Sequence, residues 1–220
     1  MKHKSLILTA AMLISSTLPC YAFATESGTC GENLTWTLTD GVLTISGTGD
    51  MDDYERPESN TPSAKWTSKI PWKRYISDIK SVVVEEGVAS IGNYAFYDCD
   101  NVVSLSLPDT LTDIGESAFE YCDGLTFVSL PQNITSIGRS AFERCFELIA
   151  INLPKNLTRI EPYLFSRCEN LLTVNIPEAV TYIGDGAFFD CSALTGITLP
   201  DGITEINNHT FEACVSLTDI

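Results

Sequence analysis

Basic residues are scarce in this chain: 13 Lys and Arg stand against 29 Asp and Glu in 220 residues, a formal net charge of -16. A surface so acidic repels nucleic acid and anionic lipid, because binding to phosphates depends on neutralising Lys and Arg. The densest positive stretch, Lys65, Lys69, Lys73, Arg74 and Lys80, reads as a solvated face. Histidine is scarcer still, with 2 residues, so there is almost no imidazole to activate a nucleophile. His209, in Asn207-Asn208-His209-Thr210, replaces a repeated position and adds no site. Paired C-x-x-C spacings of the structural zinc kind are absent. So is a phosphate loop, since Gly47-Thr48-Gly49 opens no helical pattern. Asp50, Asp52, Asp53 and Glu55 offer the hard oxygens that calcium takes, but the Gly and distal Glu of an EF-hand loop are missing, so they read as loop acids. Glu116, Glu120, Glu143 and Glu147 fall at variable turn positions and read as an acidic solvated face rather than a glycosidase pair. No catalytic residue, cofactor or metal site is expected.

Beyond the amino terminus no apolar run is long enough to cross a bilayer. The first 24 residues have the form of an export signal. Lys2, His3 and Lys4 precede an uncharged, mostly apolar run from Leu6 to Leu18, and Ala22-Phe23-Ala24 matches the small-x-small cleavage pattern. Cleavage after Ala24 would leave 11 basic against 29 acidic residues, a net charge of -18. The expected location is therefore secreted or at a bacterial cell surface. At 44% hydrophobic and 19% charged residues, the chain is too apolar for disorder.

What the sequence does contain is a period. Cysteines at 99, 122, 145, 168, 191 and 214 are spaced by 23 residues, which divides the chain into units 77–99, 100–122, 123–145, 146–168, 169–191 and 192–214, with a partial seventh from Val215. The third unit, DGLTFVSLPQNITSIGRSAFERC, shows the pattern best. Regular recurrence at this length marks a solenoid, in which a single unit cannot bury its apolar face but a stack can. In Val128-Ser129-Leu130, period two sends Val128 and Leu130 inward and Ser129 outward. Pro131 lacks an N–H and ends the strand. Ile134 and Ile137 form a second inward pair before Gly138, and Ala141, Phe142 and Cys145 fill the far side. Stacking predicts a continuous spine of Phe96, Phe119, Phe142, Phe165, Phe188 and Phe211. The cysteine column could form bridges between rungs in an exported protein. With Cys30 the mature chain holds an odd number, and the A-F-x-x-C setting favours small buried thiols.

On these motifs the chain resembles the BspA-like family of bacterial leucine-rich-repeat proteins, whose units carry the same IP…VTxIGxxAFxxC signature. The likeness covers residues 28–220, with Gly28-Thr29-Cys30-Gly31 through Gly49 resembling the segment that often precedes such arrays. It implies a curved or extended right-handed solenoid outside the cell, with roles in adhesion and protein binding. Glu161-Pro162 and Asn207-Asn208 depart from the usual Gly turn, and Leu164 and Thr210 replace Ala, which puts local turn geometry in doubt.

Residues 25–76 do not follow the repeat. Trp36, Leu38, Leu43 and Ile45 alternate with polar residues about Asp40-Gly41, a hairpin signal. The hairpin is expected to cap the first coil, with Trp66 and Trp72 packing on it and Gly49 to Ser63 forming a surface loop. The array breaks off six residues into its seventh unit without a polar closing unit. The sequence therefore reads as part of a longer protein, and the isolated chain is expected to self-associate end to end. Outward strand positions define an expected concave face of neutral groups: Ser104, Ser106, Phe127, Ser129, Asn152, Thr173, Asn175 and Thr198. Small residues there ease stacking; equally, they form a groove for a protein or glycan ligand with Phe127 as anchor. The function expected is recognition without catalysis. An accessory domain of a larger extracellular enzyme, or a structural spacer, is the alternative.

Overall fold

The computed structural model describes residues 25–56 and 69–220. The export signal expected over 1–24, Trp66, and the part of the expected loop from 57 onward lie outside the described residues. Strands β2 (Leu34–Thr39) and β3 (Val42–Gly47) pair antiparallel, with Trp36 opposite Ile45 and Leu38 opposite Leu43. Asp40 and Gly41 turn between them at φ 51° and 80°, the hairpin geometry that matches strand twist. Strand β1 (Glu26–Thr29), not foreseen from the sequence, lies antiparallel on the outer edge of β2. Gly49 and Asp50 are not loop but a short strand, β4, and Met51 and Tyr54 just after it are buried. This corrects the loop reading of Gly49 to Ser63: apolar side chains at 51 and 54 give the segment a core to join.

The repeats form a three-sided coil. On the first side lie β5 (Ser81–Val84), β7 (Ser104–Ser106), β9 (Phe127–Ser129), β11 (Ala150–Asn152) and β13 (Thr173–Val174). β3 pairs parallel with β5, and β5 with β7, so the hairpin supplies the rung that covers the array's first edge. On the second side lie β6 (Val88–Ile91), β8 (Asp113–Ile114), β10 (Ser136–Ile137), β12 (Arg159–Ile160) and β14 (Tyr182–Ile183). Here β4, β6, β8 and β10 form one parallel sheet and β12 and β14 another. The third side consists of turns bonded rung to rung. The Phe96 amide donates to Ala118 O at 2.8 Å, Phe119 to Ala141 at 2.9 Å, Phe142 to Leu164 at 3.1 Å, Phe165 to Ala187 at 2.8 Å and Phe188 to Thr210 at 3.0 Å.

The phenylalanines stack along the axis, with centroids 5.2 Å apart for Phe96–Phe119, 5.4 Å for Phe119–Phe142, 6.1 Å for Phe142–Phe165 and 5.6 Å for both Phe165–Phe188 and Phe188–Phe211. Trp72 extends this spine into the cap, 5.5 Å from Phe96 and edge-on to Trp36 and Tyr54. Among the described residues the cysteines are free and buried. From the second unit onward each thiol donates to the carbonyl of the phenylalanine one rung back, as Cys145 does to Phe119 O at 3.3 Å and Cys168 to Phe142 O at 3.2 Å. A thiol ladder runs beside the spine instead of bridges.

Two interruptions divide the sheets of the coil. On the second side the repeated glycine permits close approach: a Cβ at Gly138 would stand 2.5 Å from Glu116 N, and one at Gly184 2.5 Å from Pro162 N. Glu161 carries a Cβ at this position, and there β10 and β12 fail to pair and the spine shows its widest spacing. At Asn207, the other departure, the side-chain amide donates to Ile183 O at 2.6 Å, replacing the backbone bond that Gly184 makes to Ile160 O at 2.8 Å. On the first side β7 and β9 do not pair, so this face is divided into two sheets. Nothing in the structure explains that break.

Candidate functional site

Period-two alternation places the expected binding residues where strand geometry requires. Ser104, Ser106, Phe127, Ser129, Asn152, Thr173, Asn175 and Thr198 are all exposed. Register brings Phe127, Ala150 and Thr173 into one row and Ser129 and Asn152 into the next. Ser104 and Ser106 belong to the β5–β7 block, in register with Ser81 and Val83, across the break from Phe127. Thr198 lies beyond the last paired strand of this side, next to the isolated bridge between Gly196 and Asp219.

The break alters the chemistry of this face. Val128 is 4% exposed, whereas its counterpart Leu105 is only partly buried, as is Leu107. Phe127 stands 66% exposed beside the break, with Val103 at 63% and Leu172 at 48% on the margin where the strands begin. That apolar margin was not read from the sequence, because Val103 and Leu172 sit one residue before the strand alternation starts. Backbone groups are also left over. Val103 N bonds Lys80 O and Ile149 N bonds Thr126 O, each at 2.9 Å, but no such bond joins Thr126 N to Val103 O.

Acids crowd the turns that lead into these strands. Asp123, one residue after Cys122, has a buried Oδ1 without a hydrogen-bond partner among the described residues. Burial, then the charges of Asp100, Asp98 and Glu147, push its carboxyl up to about 6. Asp98 is held by Lys73 at 3.5 Å, and Glu147 accepts from Asn170 Nδ2 at 3.2 Å. The array's arginines are already engaged: Arg139, Arg144, Arg159 and Arg167 lie over the rings of Tyr163, Tyr121, Tyr182 and Phe189, each in a neighbouring unit.

Other candidate groups are placed differently from the sequence reading. Glu120, taken there as part of a solvated face, is 2% exposed. Burial raises its carboxyl pKa, opposed by a hydrogen bond with Ser117 and reinforced by Glu143, while Arg56 approaches at 3.7 Å. Tyr97, on which this carboxylate acts, packs edge-to-face on Tyr121 beside it. Asp53 accepts from Asn93 N at 2.8 Å, and Asn93 Oδ1 from Glu116 N at 2.6 Å, so these side chains cap successive rungs. They border a polar groove of about 440 Å³ on the second side, with Asp113, Arg139 and Glu161. His209 is exposed and bonded to Glu212. Burial pushes the Cys99 thiol up to about 12, and the rest of the column upward for the same reason, so thiolate chemistry is suppressed.

The profile of the BspA type leucine rich repeat region matches residues 75–220 in six copies. The chain belongs to this family. No curated protein matches it in sequence. Among solved structures, this BspA-type chain is similar to a leucine-rich repeat protein from Eubacterium ventriosum, at 24% identity over 89% of this chain and 71% of that one, with a TM-score of 0.45. It is similar to the T. pallidum leucine rich repeat protein at 24% identity over 76% and 90%, TM-score 0.46. A leucine rich cell surface protein from Faecalibacterium prausnitzii shares 15% identity over 90% and 94%, TM-score 0.42. Among the described residues no helix is long and apolar enough to cross a membrane.

Proposed function

We propose that this chain is an exported recognition module of the bacterial surface that holds a protein ligand against its first side. The observation that carries this reading is the row of exposed neutral side chains from Ser104 to Thr198 in a chain of net charge -16. Charge has been kept off one strip and placed on the turns around it. The hydroxyl and amide groups there suit hydrogen bonds to an extended ligand, and Phe127 provides the large half-rigid ring typical of an anchor. The signal-like residues 1–24 support export, and membership of a repeat family supports a binding or spacing role over catalysis.

The test is affinity capture from host-surface and bacterial-surface extracts with the mature chain, repeated with Phe127→Ala and Asn152→Ala. The expected result is a captured ligand whose retention falls with both variants. Capture that neither variant changes, or no capture at all, would leave the face as a spacer surface.

A further inference from the structure

We propose that the junction between the third and fourth units is a hinge. It opens on the second side while the first and third sides stay bonded, so the two halves of the coil change their relative tilt. The inference concerns motion and stands whether or not the first side holds a ligand.

Connectors of three kinds join units on the second side, and this junction lacks them all. The first is sheet pairing: β6, β8 and β10 continue one sheet, and β12 and β14 start another. The second is main-chain bonding one rung back. Thr112 N bonds Ala89 O at 2.8 Å, Thr135 N bonds Thr112 O at 2.9 Å and Thr181 N bonds Thr158 O at 3.0 Å, but no such bond joins Thr158 N to Thr135 O. Gly115, Gly138 and Gly184 likewise bond Ile91, Ile114 and Ile160, whereas Glu161 N does not reach Ile137 O. The third is a side-chain cap. Asn93, Glu116 and Asn208 donate their N–H groups to Asp53, Asn93 and Asp185, but Pro162, at the same position, has no N–H to give. The departure Glu161-Pro162 accounts for the losses. At the equivalent position of the third unit a Cβ would stand 2.5 Å from Glu116 N, so the Cβ that Glu161 carries keeps the fourth unit from closing on the third. Its carboxylate does not bridge the gap, because Arg159 of the same unit holds it at 2.7 Å.

The other two sides supply the pivot. On the first, β9 and β11 pair from Phe127 and Ala150 to Ser129 and Asn152. On the third, Ser140, Phe142 and Arg144 bond Pro162, Leu164 and Ser166 at 3.1, 3.1 and 2.8 Å. Near the open side Arg139 lies flat over the Tyr163 ring at 4.8 Å, a stacked contact that slides without breaking a hydrogen bond. A coil held on two sides and free on the third bends, which is the hinge class of motion. The row of Phe127, Ala150 and Thr173 crosses the junction, so the bend changes the curvature of the proposed binding face. The polar groove on the second side has Ser136, Gly138 and Arg139 on one half and Glu161 on the other, so the same bend widens its end. A partner that fits one curvature of the row selects one tilt.

The experiment measures distance distributions between paired nitroxides by electron spin resonance. Because the native thiols are buried, cysteines introduced on the second side take the label selectively. Ser136→Cys with Thr181→Cys straddles the junction, and Ser90→Cys with Ser136→Cys spans as many units within one half. The straddling pair should give the broader distribution. Glu161→Gly combined with Pro162→Asn, which restores the residues found at Gly92 and Asn93, should remove the excess width. Equal widths for the two pairs, or an excess that survives the restored glycine, would overturn the hinge. Amide exchange on the unlabelled chain guards against labels or variants that disturb the fold: Thr158 and Glu161 should exchange at least about tenfold faster than Thr135 and Gly138. Equal protection at these four amides would overturn the hinge as well.

Discussion

Phe142→Ala removes the middle of the spine. Its ring is fully buried and stacks on Phe119 at 5.4 Å and on Phe165 at 6.1 Å. A buried ring removes roughly 150–250 Å² from water, which at about 25 cal/mol per Å² is roughly 4–6 kcal/mol before subtracting what Ala retains. Truncations of this kind cost about 3–5 kcal/mol, and on a chain of this length that lowers Tm by about 6–20 °C. Phe211 offers the internal comparison: it is only partly buried and has one ring neighbour, Phe188, so Phe211→Ala should cost about 1–2 kcal/mol. Urea unfolding followed by both tryptophan fluorescence and far-ultraviolet dichroism is the assay. The tryptophans, Trp36, Trp66 and Trp72, all precede the repeats, so fluorescence reports the cap end and dichroism the whole coil. Repeats interact chiefly with their neighbours, so weakening a central rung should also separate the two transitions. Equal losses for Phe142→Ala and Phe211→Ala, with coincident transitions in both, would refute stacking along the axis as the source of stability.

Three further outcomes follow from particular residues. Asp123 binds its proton more tightly folded than unfolded, so its contribution to stability is present at low pH and is lost as pH rises through about 6; Asp123→Asn should raise the urea midpoint at neutral pH and leave it unchanged near pH 4. Gly186 has φ 59° and its Cβ would meet the Tyr163 ring at 2.6 Å, so Gly186→Ala should lower stability by about 1–2 kcal/mol or more in the same urea assay. The thiols from Cys99 to Cys191 should resist Ellman's reagent in the folded chain and react together on unfolding; rapid labelling of the native protein would contradict their burial.

The sequence made the rungs legible because identical residues recur where identical packing is needed. Phe96 to Phe188, the inward pairs such as Val128 and Leu130, and the hairpin at Asp40-Gly41 could all be read without coordinates. The third side could not. Its turns place two residues per unit at positive φ, Tyr94 and Asp98 in the first unit, Ser140 and Arg144 in the third, His209 and Ala213 in the sixth. Glycine, the usual marker of that backbone, stands at only one such position, Gly186, so composition carried no signal; the rung-to-rung bonds offset the strain instead. Of the candidate site, the neutral strip was legible from alternation. The break beside Phe127, the apolar margin of Val103 and Leu172, and the unpartnered Asp123 depend on how neighbouring units meet, which a single unit does not encode. Glu161 lies between these cases: the sequence marked it as a departure, and the structure turned it into an unpaired rung.

Amide hydrogen exchange resolved by residue tests the stacked coil most directly. Slow exchange should recur every 23 residues, at Phe96, Phe119, Phe142, Phe165 and Phe188 and again at Gly115, Gly138 and Gly184, whose N–H groups bond the preceding unit, while Glu161 exchanges fast for want of that bond. Protection that ignores this period, or an amide at Glu161 as slow as that of Gly138, would contradict the account.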